Sequence, residues 1–175
     1  FKNTNRNLSN AEKEAGIKHH VALSIVGTDQ LGNSGYFRAK NIQEHLIKAS
    51  GIPYTIVQAT QFYEFLKAIA DSATIKQSVH LPPVLFQPIA AEDVASILAE
   101  IATNPPLNKT IEIAGPDRAR FSDLISNYLK ATDDKRNVVA DANANYFGIA
   151  VTENSLVPGK NPRLGPTTLE KWLKN

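Results

Sequence analysis

Tyr36 and Lys40 stand four apart in Gly35-Tyr36-Phe37-Arg38-Ala39-Lys40, and Ser24 lies twelve residues before the tyrosine. On a helix that interval puts phenol and ammonium on one face, one turn apart. An unperturbed tyrosine has a pKa near ~10, and a neighbouring ammonium lowers it by favouring the phenolate. A serine placed beside such a pair can hydrogen-bond a substrate oxygen while the phenol delivers its proton. The chemistry these residue types suit is protonation of a carbonyl oxygen as hydride reaches its carbon.

The elements around them have to bring the three together. Val21-Ala22-Leu23-Ser24-Ile25-Val26-Gly27 reads as a buried strand ending at a glycine turn, with the strand set at His20 to Ile25. Gly27 to Gly35 is a polar loop holding three glycines, and Tyr36 to Ala49 is a helix whose Ala39, Ile42, Leu46 and Ala49 form the buried stripe. Before the strand, Asn3 to Ala15 is helical and Gly16 stops it. After the helix, Gly51-Ile52-Pro53 breaks the chain and Tyr54 to Val57 is a second strand. Helix, strand, helix, strand with short glycine-marked joints builds a parallel sheet covered by helices. Further along, the pattern predicts helices over Phe62 to Ala73, Glu92 to Ile101 and Ser122 to Leu129, and a short one over Thr168 to Leu173. A short extended piece is expected at Phe86 to Ala90 and a strand at Thr110 to Ala114. His80-Leu81-Pro82-Pro83 reads as irregular, and the part after Leu129 as mostly loop.

The 175 residues suffice for one core, at 42% hydrophobic and 21% charged, which excludes disordered and fibrous classes. A net charge of +2 with scattered lysines leaves no footprint for nucleic acid or an anionic membrane. Arg118 with Arg120, and Lys135 with Arg136, are the densest basic spots and read as solvated faces. Cysteine is absent, which removes disulfides, thiolate catalysis and cysteine-ligated metals. No apolar run has the length of a membrane span and no signal pattern opens the chain. The expectation is a soluble, cytoplasmic protein acting on a small molecule, with no nucleic-acid or membrane partner.

Several other residues invite chemistry and have plainer readings. Tyr63 and Lys67 repeat the Tyr-x-x-x-Lys spacing, but Gly51 stands where a serine would be needed, so they are expected to be an ordinary helix face. His19 and His20 are neighbours in a strand and point to opposite faces, while His45 and His80 lack partners at ligand spacing, so no metal is expected. Glu92 and Asp93 open a helix and suit its dipole. Asn143 to Asn145 reads as loop.

With the strand-borne serine included, the site resembles that of the short-chain dehydrogenase/reductase superfamily. The stretches Asn10 to His20, Leu23 to Gly27, Gly35 to Lys40 and Ile52 to Phe62 are similar to its atypical, NmrA-like branch of NAD(P)-binding proteins, from about Asn7 to the C-terminus. The resemblance implies a doubly wound Rossmann-like parallel sheet, NADP or NAD as cofactor, and an oxidoreductase moving hydride to or from a carbonyl, alcohol or quinone-like substrate. It makes Tyr36 the proton donor, has Lys40 bind the nicotinamide ribose and Ser24 orient the substrate. Ala59, Thr60, Gln61 and Phe62 follow a strand and would lie beside the nicotinamide. Phe62, Phe65 and Tyr146 are candidates for the substrate wall, with a core role as the competing reading.

Members of that family begin with a strand, a glycine-rich turn and a helix that binds the pyrophosphate. No G-x-G-x-x-G occurs here: Gly32 and Gly35 have the right interval but precede Tyr36. The chain also lacks methionine and opens at Phe1 already in a helical pattern. These features predict a single, N-terminally incomplete Rossmann-like domain over 1–175, the later part of a longer polypeptide, with substrate-side elements in roughly 62–90 and 119–175. The His20 to Ile25 strand is then expected to be central, flanked on one side by a segment missing here, and the chain to be a homo-oligomer or to associate with that segment. A dinucleotide-binding redox sensor without turnover, or an inactive truncated remnant, are the rival functions.

Overall fold

In the computed structural model, which describes residues 2–31 and 34–174, the central layer is a parallel sheet of four strands. Helix α1 (Lys2–Glu14) ends at Gly16, whose φ of +64° a side chain would strain, and leads into β1 (His20–Ile25). Helix α2 (Gly35–Ala49) then crosses back to β2 (Tyr54–Ala59), paired parallel to β1 from His20 opposite Tyr54 to Ile25 opposite Ala59. Gly27 makes the turn after β1 at φ +81°, and a Cβ there would press on the carbonyl of Ser155.

The chain next leaves the sheet. Tyr63–Phe65 forms a single 3₁₀ turn, followed by α3 (Leu66–Ser72), β3 (Thr74–Ile75), β4 (Ser78–Leu81) and β5 (Leu85–Phe86). Helix α4 (Ala91–Ala102) returns it to β6 (Lys109–Ala114), parallel to β2. Then come β7 (Ala119–Arg120), α5 (Phe121–Ala131), β8 (Asn137–Ala140), β9 (Arg163–Leu164) and α6 (Leu169–Trp172). The main sheet runs β1-β2-β6-β9, and smaller sheets pair β3-β4-β8 and β5-β7.

Helices cover both faces of the main sheet, as strands apolar on both sides require. Ala22 and Ile56 meet Ile47 of α2 on one face. On the other, Val57, Ala59 and Ile113 meet Val94, Ile97 and Ile101 of α4. A larger core lies beside the sheet, where Tyr63, Leu66 and Phe86 pack with Phe121, Ile125 and Leu156. Phe86 and Phe121 stack with ring centroids 4.3 Å apart. The fold is α/β with a Rossmann-like parallel sheet.

Three sequence expectations change. The helix expected over Phe62 to Ala73 starts only at Leu66, because the chain before it is tied to a strand-like segment: Ile89 N–H donates to Gln61 O (2.8 Å) and Tyr63 N–H to Ile89 O (3.0 Å). His80 and Leu81 belong to β4, with Val79 and Leu81 buried, and the prolines end that strand rather than replace it. The part after Leu129 contains β8 and β9, whose residues are mostly exposed and so carry no apolar alternation. In the described sheet β1 is an edge with β2 as its one described neighbour, the open edge that the sequence reading expects of this chain. Its His20 and Val26 N–H groups donate to Pro53 O (2.8 Å) and Ala59 O (3.0 Å). The alternation of the ladder therefore turns the main chain of Val21, Leu23 and Ile25 to the other side, where no described strand lies.

The C-terminus is fastened to this frame at three points. Buried Asp93 of α4 accepts the N–H (2.9 Å) and hydroxyl (2.9 Å) of Thr167, so it does more than suit the helix dipole. Asp117 accepts Leu169 N–H (2.6 Å) and the Tyr63 hydroxyl (3.2 Å) through one oxygen. Trp172 donates its indole N–H to Glu64 (3.0 Å).

Candidate functional site

A cavity of about 550 Å³ opens at the carboxyl ends of β1 and β2. Leu23, Ser24 and Ile25 reach it from β1, and Tyr36, Phe37 and Lys40 from the first turns of α2. Ala59, Thr60, Gln61 and Phe62 line it from the end of β2, with Phe65 on the turn that follows. Tyr146, Phe147 and Ile149 close it from a remote loop. All nine residues singled out from the sequence, Ser24, Tyr36, Lys40, Ala59, Thr60, Gln61, Phe62, Phe65 and Tyr146, thus border one space. Gly35 begins α2, and Gly32 lies outside the described residues.

Ser24 is buried, and its hydroxyl donates to Glu44 Oε1 at 2.6 Å. A hydroxyl has one proton, so the oxygen offers lone pairs to other groups in this arrangement. Lys40 donates to Leu23 O (3.0 Å), a carbonyl on the free side of β1, and to Gln43 Oε1 (3.3 Å). Desolvation pulls the Lys40 ammonium below its ordinary pKa, while the negative charge of Glu44 opposes the fall. Tyr36 is 58% exposed, with its ring edge-on to Phe37 at 5.9 Å.

The two residues after β2 are unusual in being buried and incompletely bonded. Thr60 is held by its N–H to Ile113 O (3.1 Å), yet Thr60 Oγ1 and Gln61 Oε1 have no hydrogen-bond partner among the described residues. Each such orphan costs roughly 1–3 kcal/mol unless a ligand supplies the partner. The rest of the lining is largely aromatic. Phe62 and Phe65 lie 6.0 Å apart, and Tyr146 and Phe147 meet edge-on at 4.9 Å. A two-residue turn presents this second pair, with Phe147 at φ +47° and Gly148 at +77° between the paired Tyr146 and Ile149. Tyr146 also touches Phe121 of the core, and burial pushes its phenol well above the usual tyrosine range. It therefore serves wall and core at once.

The other candidates are accounted for elsewhere. Tyr63 is fully buried, and burial together with Asp117 drives its pKa far upward, while Lys67 points to solvent and pairs with Asp71 at 2.7 Å. His19 meets Thr55 (2.9 Å), His20 Glu12 (2.7 Å), His45 the carbonyl of Asn41 (2.8 Å) and His80 Asp141 (3.1 Å). Arg120 binds Glu153 on the surface, whereas the Arg136 side chain is only 15% exposed and is held between Asp134 and Asp71, which corrects its reading as a solvated face. Among the described residues, no helix is long and apolar enough to cross a membrane.

Glu44, Phe37 and Phe147 escaped the sequence reading. Glu44 continues the series Tyr36, Lys40, Glu44 at intervals of four, a signal that was available. A carboxylate on a helix ordinarily reads as solvated, which hides it. Phe147 comes from 107 residues beyond Lys40, and local pattern cannot reveal that approach.

A parallel sheet with helices on both faces and a ligand cavity at its carboxyl ends defines a dinucleotide-binding α/β protein. The chain belongs to the NAD(P)H-binding family, whose model matches residues 1–105. This agrees with its resemblance to the NmrA-like, atypical short-chain dehydrogenases, and the cofactor class is NADP or NAD. No curated protein matches the chain. Among solved structures it is similar to an NADPH-dependent quinone oxidoreductase from Escherichia coli, at 21% identity and a TM-score of 0.65, over 78% of this chain and 50% of that one. It also resembles a nucleoside-diphosphate-sugar epimerase from Staphylococcus aureus (17%, TM-score 0.63, 78% and 50%). A third is the triphenylmethane reductase of Citrobacter sp. complexed with NADP(H) (17%, TM-score 0.59, 78% and 49%). The chain spans about half the length of these structures.

The residues present fit the nicotinamide end of that cofactor. A carboxamide carries one acceptor and two donors, and the orphaned Thr60 hydroxyl and Gln61 carbonyl offer the complementary donor and acceptor.

Proposed function

We propose that this chain carries the substrate-side part of an NAD(P)-dependent oxidoreductase site of the short-chain dehydrogenase/reductase type, acting on a carbonyl, alcohol or quinone-like compound. The observation that carries this reading is the convergence of Ser24, Tyr36 and Lys40 on one cavity that also holds the unpaired Thr60 and Gln61 oxygens.

Tyr36 supplies the proton to the substrate oxygen. Its position in the first turn of α2, at the mouth, lets it reach a substrate and then exchange with solvent. Lys40 holds the cofactor ribose and keeps positive charge near the phenol. Thr60 and Gln61 hold the carboxamide. When bound, the nicotinamide supplies or accepts the hydride. The aromatic wall favours a flat apolar substrate and keeps water from its carbon. The quinone oxidoreductase among the similar structures makes quinones the first substrates to try.

The test is oxidation of NADPH by menadione, followed at 340 nm with NADPH taken into the millimolar range. Turnover that Tyr36→Phe reduces by ~100-fold supports the reading. NADPH binding without turnover of quinones, aldehydes or alcohols replaces it with the sensor reading. Neither binding nor turnover leaves the remnant.

A further inference from the structure

Glu44 lies one turn beyond Lys40 on α2 and is only 4% exposed. Its Oε1 accepts from Ser24 Oγ (2.6 Å), Thr28 Oγ1 (3.2 Å) and Gln58 Nε2 (2.9 Å). Its Oε2 accepts from Gln58 (3.1 Å) and, at 3.5 Å, from Lys48. Burying a carboxylate costs several kcal/mol, and well-packed apolar residues commonly serve a fold better. A packing role alone therefore does not explain Glu44. Its shortest contact is with the one serine that borders the cavity from β1.

We propose that Glu44 is a positioning residue of the site: by accepting the one hydroxyl proton of Ser24 it leaves that oxygen to act only as an acceptor, so the group docked at Ser24 is a hydroxyl. The inference rests on the oxidoreductase reading for its meaning, because it assigns Ser24 to the alcohol or phenol side of the redox couple rather than to the carbonyl. The carbonyl oxygen is then left to Tyr36. The same carboxylate acts on Lys40, whose ammonium is desolvated and whose charge Glu44 favours. The other charged or titratable groups around Glu44 are Lys48 and His45 on α2, Asp29 on the turn after β1 and Glu112 on β6. Those four border a polar recess of about 440 Å³ that Glu44 also lines, and Ser24 lines the other cavity.

The test needs no cofactor. Binding of 1-naphthol and of 1-methoxynaphthalene to the 175-residue chain is measured by naphthyl fluorescence. The rings are alike, and only the naphthol can donate to Ser24. Naphthol is expected to bind about tenfold tighter in the wild type, the scale of one hydrogen bond. That preference should vanish in Ser24→Ala and shrink in Glu44→Leu, whose serine has a free proton to donate to the methoxy oxygen as well. Equal binding of the two rings by the wild type, binding of neither, or a preference that survives Ser24→Ala overturns the proposal.

A second readout covers the case in which Glu44→Leu does not fold. The titration of Lys40, seen by NMR with labelled lysine and assigned through Lys40→Arg, should move to lower pH in Glu44→Gln. It should stay near the wild-type value in Glu44→Asp, which keeps the charge. An unmoved midpoint in Glu44→Gln overturns the link to Lys40. A chain that prefers naphthol but turns over nothing with NADPH refutes the oxidoreductase reading and leaves this one standing.

Discussion

Two tyrosines share the spacing Tyr-x-x-x-Lys, and their environments assign them different work. Tyr36 is exposed at the cavity, whereas Tyr63 is sealed in the core with its hydroxyl on Asp117. Lys67→Ala should leave menadione turnover unchanged, since that ammonium pairs with Asp71 on the surface. Equal losses from Lys67→Ala and Tyr36→Phe would show the wrong tyrosine has been assigned. Gln61 gives a prediction of opposite signs. Its buried carbonyl is unpaired in the free chain, so Gln61→Leu should raise stability by roughly 1 kcal/mol, read as an increase in Tm. The same change should weaken NADPH binding by about tenfold, read by calorimetry, because the carboxamide loses an acceptor. A variant that gains stability and keeps its affinity would detach Gln61 from the cofactor.

At the scale of elements, the turns are where small changes cost most. Gly115 follows β6, and a Cβ there would collide with the carbonyl of Pro88, just before the Ile89 segment that pins Gln61 and Tyr63. Gly115→Ala should therefore destabilise the chain by about 2 kcal/mol or more in thermal melts and disturb the cavity with it. Arg136 ties the start of β8 to Asp71 of α3 (3.0 Å) and to Thr74 of β3 (2.7 Å). Its hydrogen bonds to Asp134 hold that carboxyl at about 2, below its unfolded range. A carboxyl with a depressed folded pKa stabilises the fold above the unfolded value near ~4, and the benefit is lost as the pH falls toward 2. Arg136→Ala should lower Tm at pH 6 and lower it less at pH 2; an equal drop at both would mean the guanidinium acts through packing alone. These elements were unequally legible. The alternation from α1 to β2 was readable because glycines mark its joints and the apolar runs have the length of buried strands. β8 and β9 were not, because strands of two to four mostly exposed residues leave no period in the sequence. The cavity's first wall was readable from spacing, and Phe147, supplied by a distant loop, was not.

For the whole molecule, the free side of β1 matters most. Its main-chain groups at Val21, Leu23 and Ile25 face no described strand, and among the described residues Leu23 O is met by Lys40. Open strand edges recruit other chains. Light scattering on the purified chain should show concentration-dependent association; a monomer that survives both concentration and dilution would mean the edge is covered from within. The fastening of the C-terminus has a different consequence. Asp117 holds the start of α6 and the Tyr63 hydroxyl on a single oxygen, and Trp172 reaches Glu64, so the last helix is bolted to the very turn that carries Phe62 and Phe65. Ligand occupancy and the docking of the tail are in this way thermodynamically linked. Proteolysis makes the link visible: an aromatic ligand filling the cavity should slow cleavage within residues 166–174, and clipping the tail there should loosen the ligand's grip without removing a single atom that touches it.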